Sequence, residues 1–236
     1  MMLQKTMLKR TALAVLVLAA LPMQAYAADG TARLDAHMST LGGGLEIGTA
    51  LTENYSARVG FNKFSFSYND TSGGQTFNGN LNWSSITALM DWRPWGGVTH
   101  LTAGVIFNSN KIDASSTVAN GSTYTSNGAT FQCSSASGCG VDFSMGFNKV
   151  APYLGIGWSG QPKKQGFSFS TDVGIMFQGA PQATVGATGT WNETTTGIPV
   201  SATLSQVAAE AQKQLNSDLS RFKYYPVLSL GIGYTF

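Results

Sequence analysis

Charge is scarce in this chain: Asp, Glu, Lys and Arg make up 11% of its 236 residues, whereas a soluble domain spends about a quarter of its residues on them. An exterior that faces water on all sides is therefore not what the composition describes. Histidine is rarer still, with His37 and His100 the only two, and cysteine is limited to Cys133 and Cys139. That set gives no spaced His/Cys cluster of the kind structural zinc takes, so no metal or cofactor is expected. Beyond the first 21 residues there is no apolar run approaching the about 20 residues that a spanning helix needs, which excludes a helical membrane protein. No strong basic excess is present either. The formal charge of +2 gives no face for nucleic acid.

Glycine, by contrast, occurs 28 times and aromatics make up 11%. The amino-terminal segment sets the compartment. Lys5, Lys9 and Arg10 precede the apolar run TALAVLVLAAL, followed by Pro22 and the small-residue site Ala25-Tyr26-Ala27. This is the pattern of a secretory signal peptide over residues 1–27, cleaved after Ala27, and the run is too short for an uncleaved anchor. Cleavage removes three of the 14 basic residues and no acid, leaving 11 bases against 12 acids, a net charge of −1 for residues 28–236.

Those residues alternate. Successive strand side chains point to opposite faces, so a large apolar residue at every second position marks one greasy face. Phe167, Phe169, Val173, Ile175 and Phe177 share a face opposite Ser168, Ser170, Asp172, Gly174 and Gln178. Ala32, Leu34, Ala36 and Met38 oppose Arg33, Asp35 and His37, and Leu45, Ile47 and Leu51 oppose Glu46, Gly48 and Ala50. Three segments change phase midway: 55–69, 79–92 and 141–158. A β-bulge in each, or aromatic ends turned inward as a plug, accounts for this equally. Eight strands follow, approximately 31–40, 42–51, 55–69, 79–92, 98–112, 141–158, 166–179 and 223–236. The connections 52–54, 93–97 and 159–165 are tight; 70–78, 113–140 and 180–222 are long.

An even strand count with short turns at one end and long loops at the other is the pattern of an all-β, eight-stranded antiparallel up-and-down outer-membrane barrel. Strands of about 9–11 residues suffice to cross, and closure leaves no unpaired backbone edge in lipid. Charge is then confined to lumen, loops and turns, and both termini lie on the short-turn, periplasmic side. The last eleven residues, PVLSLGIGYTF, fit this ending: Leu228, Leu230, Ile232, Tyr234 and Phe236 form one lipid-facing stripe. A terminal aromatic stripe of this kind resembles the signal read by bacterial outer-membrane assembly machinery. The echo of LGIGW (154–158) and LGIGY (230–234) is no nucleotide fingerprint, because the third glycine and the following helix are missing; glycine there relieves crowding in a narrow lumen.

Few groups suggest chemistry. Cys133 and Cys139 flank a short Ser/Ala/Gly spacer, which in an oxidising compartment predicts a disulfide. His37-Met38-Ser39, with Asp35 on the same face as His37, carries the H-x-S spacing of barrel lipid A deacylases, but it stands near the amino terminus rather than late in the chain. An ordinary lumen histidine is the simpler reading, and the chain is read as a non-enzyme. The expected lumen charges are Arg33, Asp35, Glu46, Arg58, Asp142 and Asp172. Eight strands leave an interior just wide enough for side chains, so these charges pair into a plug more readily than they line an open path. Any path, with four acids to two arginines, would favour cations. Leu204, Val207, Ala208, Ala211, Leu215, Leu219 and Phe222 recur at helical spacing behind a Thr203/Gln206 capping box, predicting a helix in the last loop.

At RPWG (93–96), APYLGIGW (151–158), QGAPQ (178–182) and YYPVLSLGIGYTF (224–236) the chain resembles the CarO-type outer-membrane proteins, among the small barrels of OmpW-like kind. They are described as ornithine or basic amino-acid uptake porins and linked with carbapenem entry. The resemblance implies a monomeric barrel in the outer membrane of a Gram-negative bacterium, with slow passage of small solutes. Its partners would be outer-membrane lipid, lipopolysaccharide and the assembly machinery. A non-conducting surface or structural barrel is the alternative.

Overall fold

The computed structural model describes residues 31–72, 75–126, 129–160, 163–194, 208, 212–213 and 215–236. The signal segment 1–27 and the Thr203/Gln206 capping pair lie outside them. Among the described residues the strands run, in chain order, β1 (Ala32–Ser39), β2 (Gly42–Ala50), β3 (Tyr55–Ser72), β4 (Gln75–Trp92), β5 (Thr99–Asn108), β6 (Lys111–Val118), β7 (Thr123–Ser126), β8 (Ala129–Cys133), β9 (Cys139–Gly146), β10 (Val150–Trp158), β11 (Gly166–Met176), β12 (Gln182–Thr188), β13 (Trp191–Glu193) and β14 (Tyr225–Thr235).

Eight of them close into a ring, in the order β1, β2, β3, β4, β5, β10, β11, β14 and back to β1, every neighbour antiparallel. Alternation sorts their side chains as the sequence implies. Outward positions are apolar and open, with Phe169 80% and Leu230 67% exposed, whereas Asp91, Asp172, His100 and Thr102 are buried in the lumen. This inverts the usual arrangement of a water-soluble protein, in which a continuous exposed apolar surface of this extent does not occur. At the short-turn end an aromatic rim includes the stacked pair Tyr55 and Trp92 and the edge-on pairs Phe167–Tyr234 and Tyr234–Phe236.

Beyond the ring, at the other end, β3 and β4 continue as one two-stranded ribbon. Their pairing runs in unbroken register from Tyr55 opposite Trp92 to Ser72 opposite Gln75. β6 pairs with the free edge of β4, β9 with β6, and β12 with β9, which makes a second sheet rising from the barrel wall. This resolves the phase changes. There is no bulge in β3 or β4, and Phe64, Phe66 and Tyr68 stand half exposed rather than plugging the ring. The strands run straight while their surroundings exchange. On the outward face Tyr55, Ala57, Val59 and Phe61 give way to Lys63, Ser65, Ser67 and Asn69. On the inward face Arg58, Gly60 and Asn62 give way to Phe64, Phe66 and Tyr68.

Two expected strands divide. The segment 98–112 breaks after Asn108, where Asn110 Oδ1 accepts from the Ser84 amide, and the chain re-enters as β6. The segment 141–158 is β9 in the upper sheet followed by β10 in the ring. The expected long loops are correspondingly structured. Residues 113–140 carry most of β6 and all of β7 and β8; residues 180–222 carry β12, β13 and helical turns at 208, 212–213 and 215–219. That helix covers the edge of β12, where Gln212 Oε1 accepts from the Val185 amide and Asn216 exchanges two bonds with the Ala183 backbone. An otherwise open sheet edge is thereby satisfied.

The disulfide between Cys133 and Cys139 is formed. It joins β8 of the small β7–β8–β13 sheet to β9, inside a buried cluster with Phe131 and Trp191. In the chain-entropy description, closing a loop this short stabilises by roughly 2 kcal/mol. Cys133→Ser together with Cys139→Ser is therefore expected to speed limited proteolysis between β6 and β9 severalfold, while the ring keeps its heat-modifiable migration on gels; unchanged proteolysis would show that the bond is not what holds this cap.

Candidate functional site

The lumen is built by inward positions from every strand of the ring, and at mid-height it is closed by Arg58. From β3 this guanidinium reaches three carboxylates on three other strands. Nη1 lies 3.1 Å from Glu46 Oε1 on β2, Nε 3.1 Å from Asp91 Oδ2 on β4, and Nη2 2.8 Å from Asp172 Oδ1 on β11. Nη2 also donates to Thr102 on β5 at 3.2 Å, and Thr102 in turn donates to Asp91 at 2.7 Å. Arginine suits this place because its planar fork presents five donors at once, here shared among Glu46, Asp91, Thr102 and Asp172, the last taking two.

His100, on β5, extends the knot toward the short-turn rim. Its Nε2 lies 3.1 Å from Asp172 Oδ1; a carboxylate accepts, so this nitrogen carries the proton. Its Nδ1 lies 3.4 Å from Ser159 Oγ, an oxygen that accepts from Arg93 at 3.0 Å. Arg33 grips Asp35 through two bonds of 2.6 and 2.5 Å and reaches Ser168 across the rim. On the other side of the knot Ile106, Tyr153, Met176 and Val227 fill the lumen with buried apolar volume. Among the described residues, a cavity of about 40 Å³ lies on either side of the knot, both lined by Arg58, each with room for ordered water.

The inward glycines make this filling feasible. A Cβ on Gly155 would lie 2.5 Å from Tyr153 Oη, one on Gly157 2.5 Å from His100 Nε2, and one on Gly233 would collide with the Asp35 carboxylate. The paired LGIGW and LGIGY motifs thus leave room for the lumen side chains that cross in front of them.

Of the six charges expected in the lumen, Arg33, Asp35, Glu46, Arg58 and Asp172 line it. Asp142 does not. It sits on β9, paired with Ser115 and Gly186, exposed in the upper sheet outside the ring. Sequence reasoning passed over Asp91, Arg93 and His100, although alternation marks the inward direction of two of them: Asp91 lies between the outward Met90 and Trp92, and His100 precedes the outward Leu101. His37, Ser39 and Asp35 do not assemble as a relay. His37 Nε2 contacts Asn62 Oδ1 at 2.6 Å, Ser39 donates to the Gly42 carbonyl at 3.0 Å, and Asp35 is taken by Arg33.

No family model matches the chain, and no curated protein matches it. Among solved structures it is similar to the crystal structure of Acinetobacter baumannii CarO, at a TM-score of 0.52 and 21% identity, covering 87% of this chain and 97% of that one. It is also similar to the crystal structure of Acinetobacter baumannii CarO2, at a TM-score of 0.54 and 18% identity, covering 87% and 98%. At these identities the likeness carries the fold.

Proposed function

We propose that the chain is a bacterial outer-membrane barrel, porin-like, whose lumen is a normally latched path for small basic solutes, with the upper sheet on the extracellular side. The observation that carries this is the seat of Arg58: three carboxylates converging on one guanidinium in the middle of the barrel. If that side chain swings aside, the seat left behind fits the guanidinium or ammonium of a solute, because the same oxygens are presented to it. Closure at rest supports slow passage rather than free diffusion. The exposed apolar band around the ring supports residence in lipid.

Purified protein in liposomes is expected to admit arginine or ornithine several times faster than glutamate, as followed by radiolabelled uptake. Uptake of both at the rate of protein-free liposomes would sink the channel reading. The second reading, a non-conducting barrel that displays its extracellular sheet, is favoured by how completely the lumen is filled, and that null result is what it expects.

A further inference from the structure

The outward face of the ring and the outward face of the upper sheet are one surface, since β3 and β4 pass between them without a break in register. Its character changes in steps. Up to Phe61, Ile86 and Phe107 it is apolar and open. Lys63 follows two residues above Phe61, about 7 Å further along the strand at the usual rise, and is exposed with no ion pair among the described residues. Lys111, opposite Asn82 on the far side of β4, lies two residues further along than Lys63, which is opposite Ser84. Two strand spacings across and two residues along separate the lysine backbones by about 12 Å.

Above them the face is polar throughout. Asn78 and Asn80 of β4, Asp113 and Ser115 of β6, and Asp142 and Ser144 of β9 line a groove of about 390 Å³. Lys111 bonds Asp113 at 2.8 Å and holds its carboxyl below the ordinary range, with Ser144 donating to the same group. The polar side chains offer amide and hydroxyl donors beside amide, hydroxyl and carboxylate acceptors, the mixture that vicinal sugar hydroxyls require. Ala114 and Phe143 also line the groove, but they pair with each other at the alternate positions of β6 and β9 and so belong to the opposite face; the side chains on this face include no aromatic or aliphatic anchor, which a protein partner would be expected to use.

Resting on the membrane reading above, we propose that this face seats a lipid with a phosphorylated saccharide headgroup from the surrounding outer leaflet. Its acyl chains lie along the apolar band, its phosphates meet Lys63 and Lys111, and its sugars occupy the groove. Lysine suits phosphate as a mobile point charge with three donors.

The test uses the full mature protein in detergent micelles and native mass spectrometry, with four probes: rough-type lipopolysaccharide, its dephosphorylated form, phosphatidylglycerol, and the free core oligosaccharide. Rough-type lipopolysaccharide is expected to remain bound one to one, at least tenfold more tightly than each of the others. The Lys63→Glu/Lys111→Glu double variant should lose at least tenfold of that preference, and Asn80→Leu should lose severalfold. Equal retention of phosphatidylglycerol, equal binding of free oligosaccharide, or an unaffected double variant each overturns the proposal. Heat-modifiable migration and insertion into protein-free vesicles are checked for every variant. Their failure in the unmodified protein would count against the membrane reading itself, whereas insertion without selective binding counts against this inference alone.

Discussion

Replacing Arg58 with alanine will destabilise the barrel by about 3–5 kcal/mol, the usual result of removing one partner from a buried ion pair, and will raise its conductance. The two effects have one origin. Glu46, Asp91 and Asp172 have side chains no more than 9% exposed, and each gives at least one oxygen to this guanidinium. With alanine in its place, three carboxylates face one another across a water-filled gap, and their repulsion and poor solvation are the loss. The same truncation merges the two small cavities that Arg58 separates. Urea titration of vesicle-inserted protein measures the first effect, and planar-bilayer recording the second.

Arg58→Met combined with Glu46→Gln, Asp91→Asn and Asp172→Asn is expected to recover part of the stability, because the charges of the knot leave together rather than singly. An Arg58→Ala barrel as stable and as silent as the original would show that the knot is neither latch nor support.

Leu154→Arg will cost about 2–4 kcal/mol in a bilayer, the penalty for a basic side chain at the midplane of a lipid-facing strand. Leu154 is the central of five outward residues on β10 and is 56% exposed. In a barrel surrounded by water, a substitution at so open a position would change stability within about ±0.5 kcal/mol. The size of the loss therefore reports what solvates the outer face. Thr99→Arg, opposite Trp158 at the short-turn rim, is the control, with about 0–1 kcal/mol expected near an interface. Equal small losses at both positions would remove the basis for a membrane location.

The ring was legible in the sequence because its outer face and its lumen impose opposite preferences on adjacent residues, and β1, β2, β11 and β14 keep that alternation with few interruptions, such as Thr171. Strand partners were not legible. Alternation tells which residues share a face, not which neighbour they pair with, so 98–112 reads as one strand although Ile112 pairs with Leu81 outside the ring. Asp142 was misplaced for the same reason: β9 and β10 join into one apparent strand when only periodicity is read. Asp91 and His100 were missed because single polar residues between outward aromatics or aliphatics carry no sign of the partners waiting across the lumen. Those partners lie on strands far away in the chain, as Arg58 and Asp172 do.

The unbroken β3–β4 ribbon also has a mechanical meaning. Arg58 and Asp91, two members of the latch, ride on the same hydrogen-bonded pair of strands that carries the outer sheet, with no hinge between. A torque applied to that sheet is transmitted along this lever to the guanidinium at the barrel's waist.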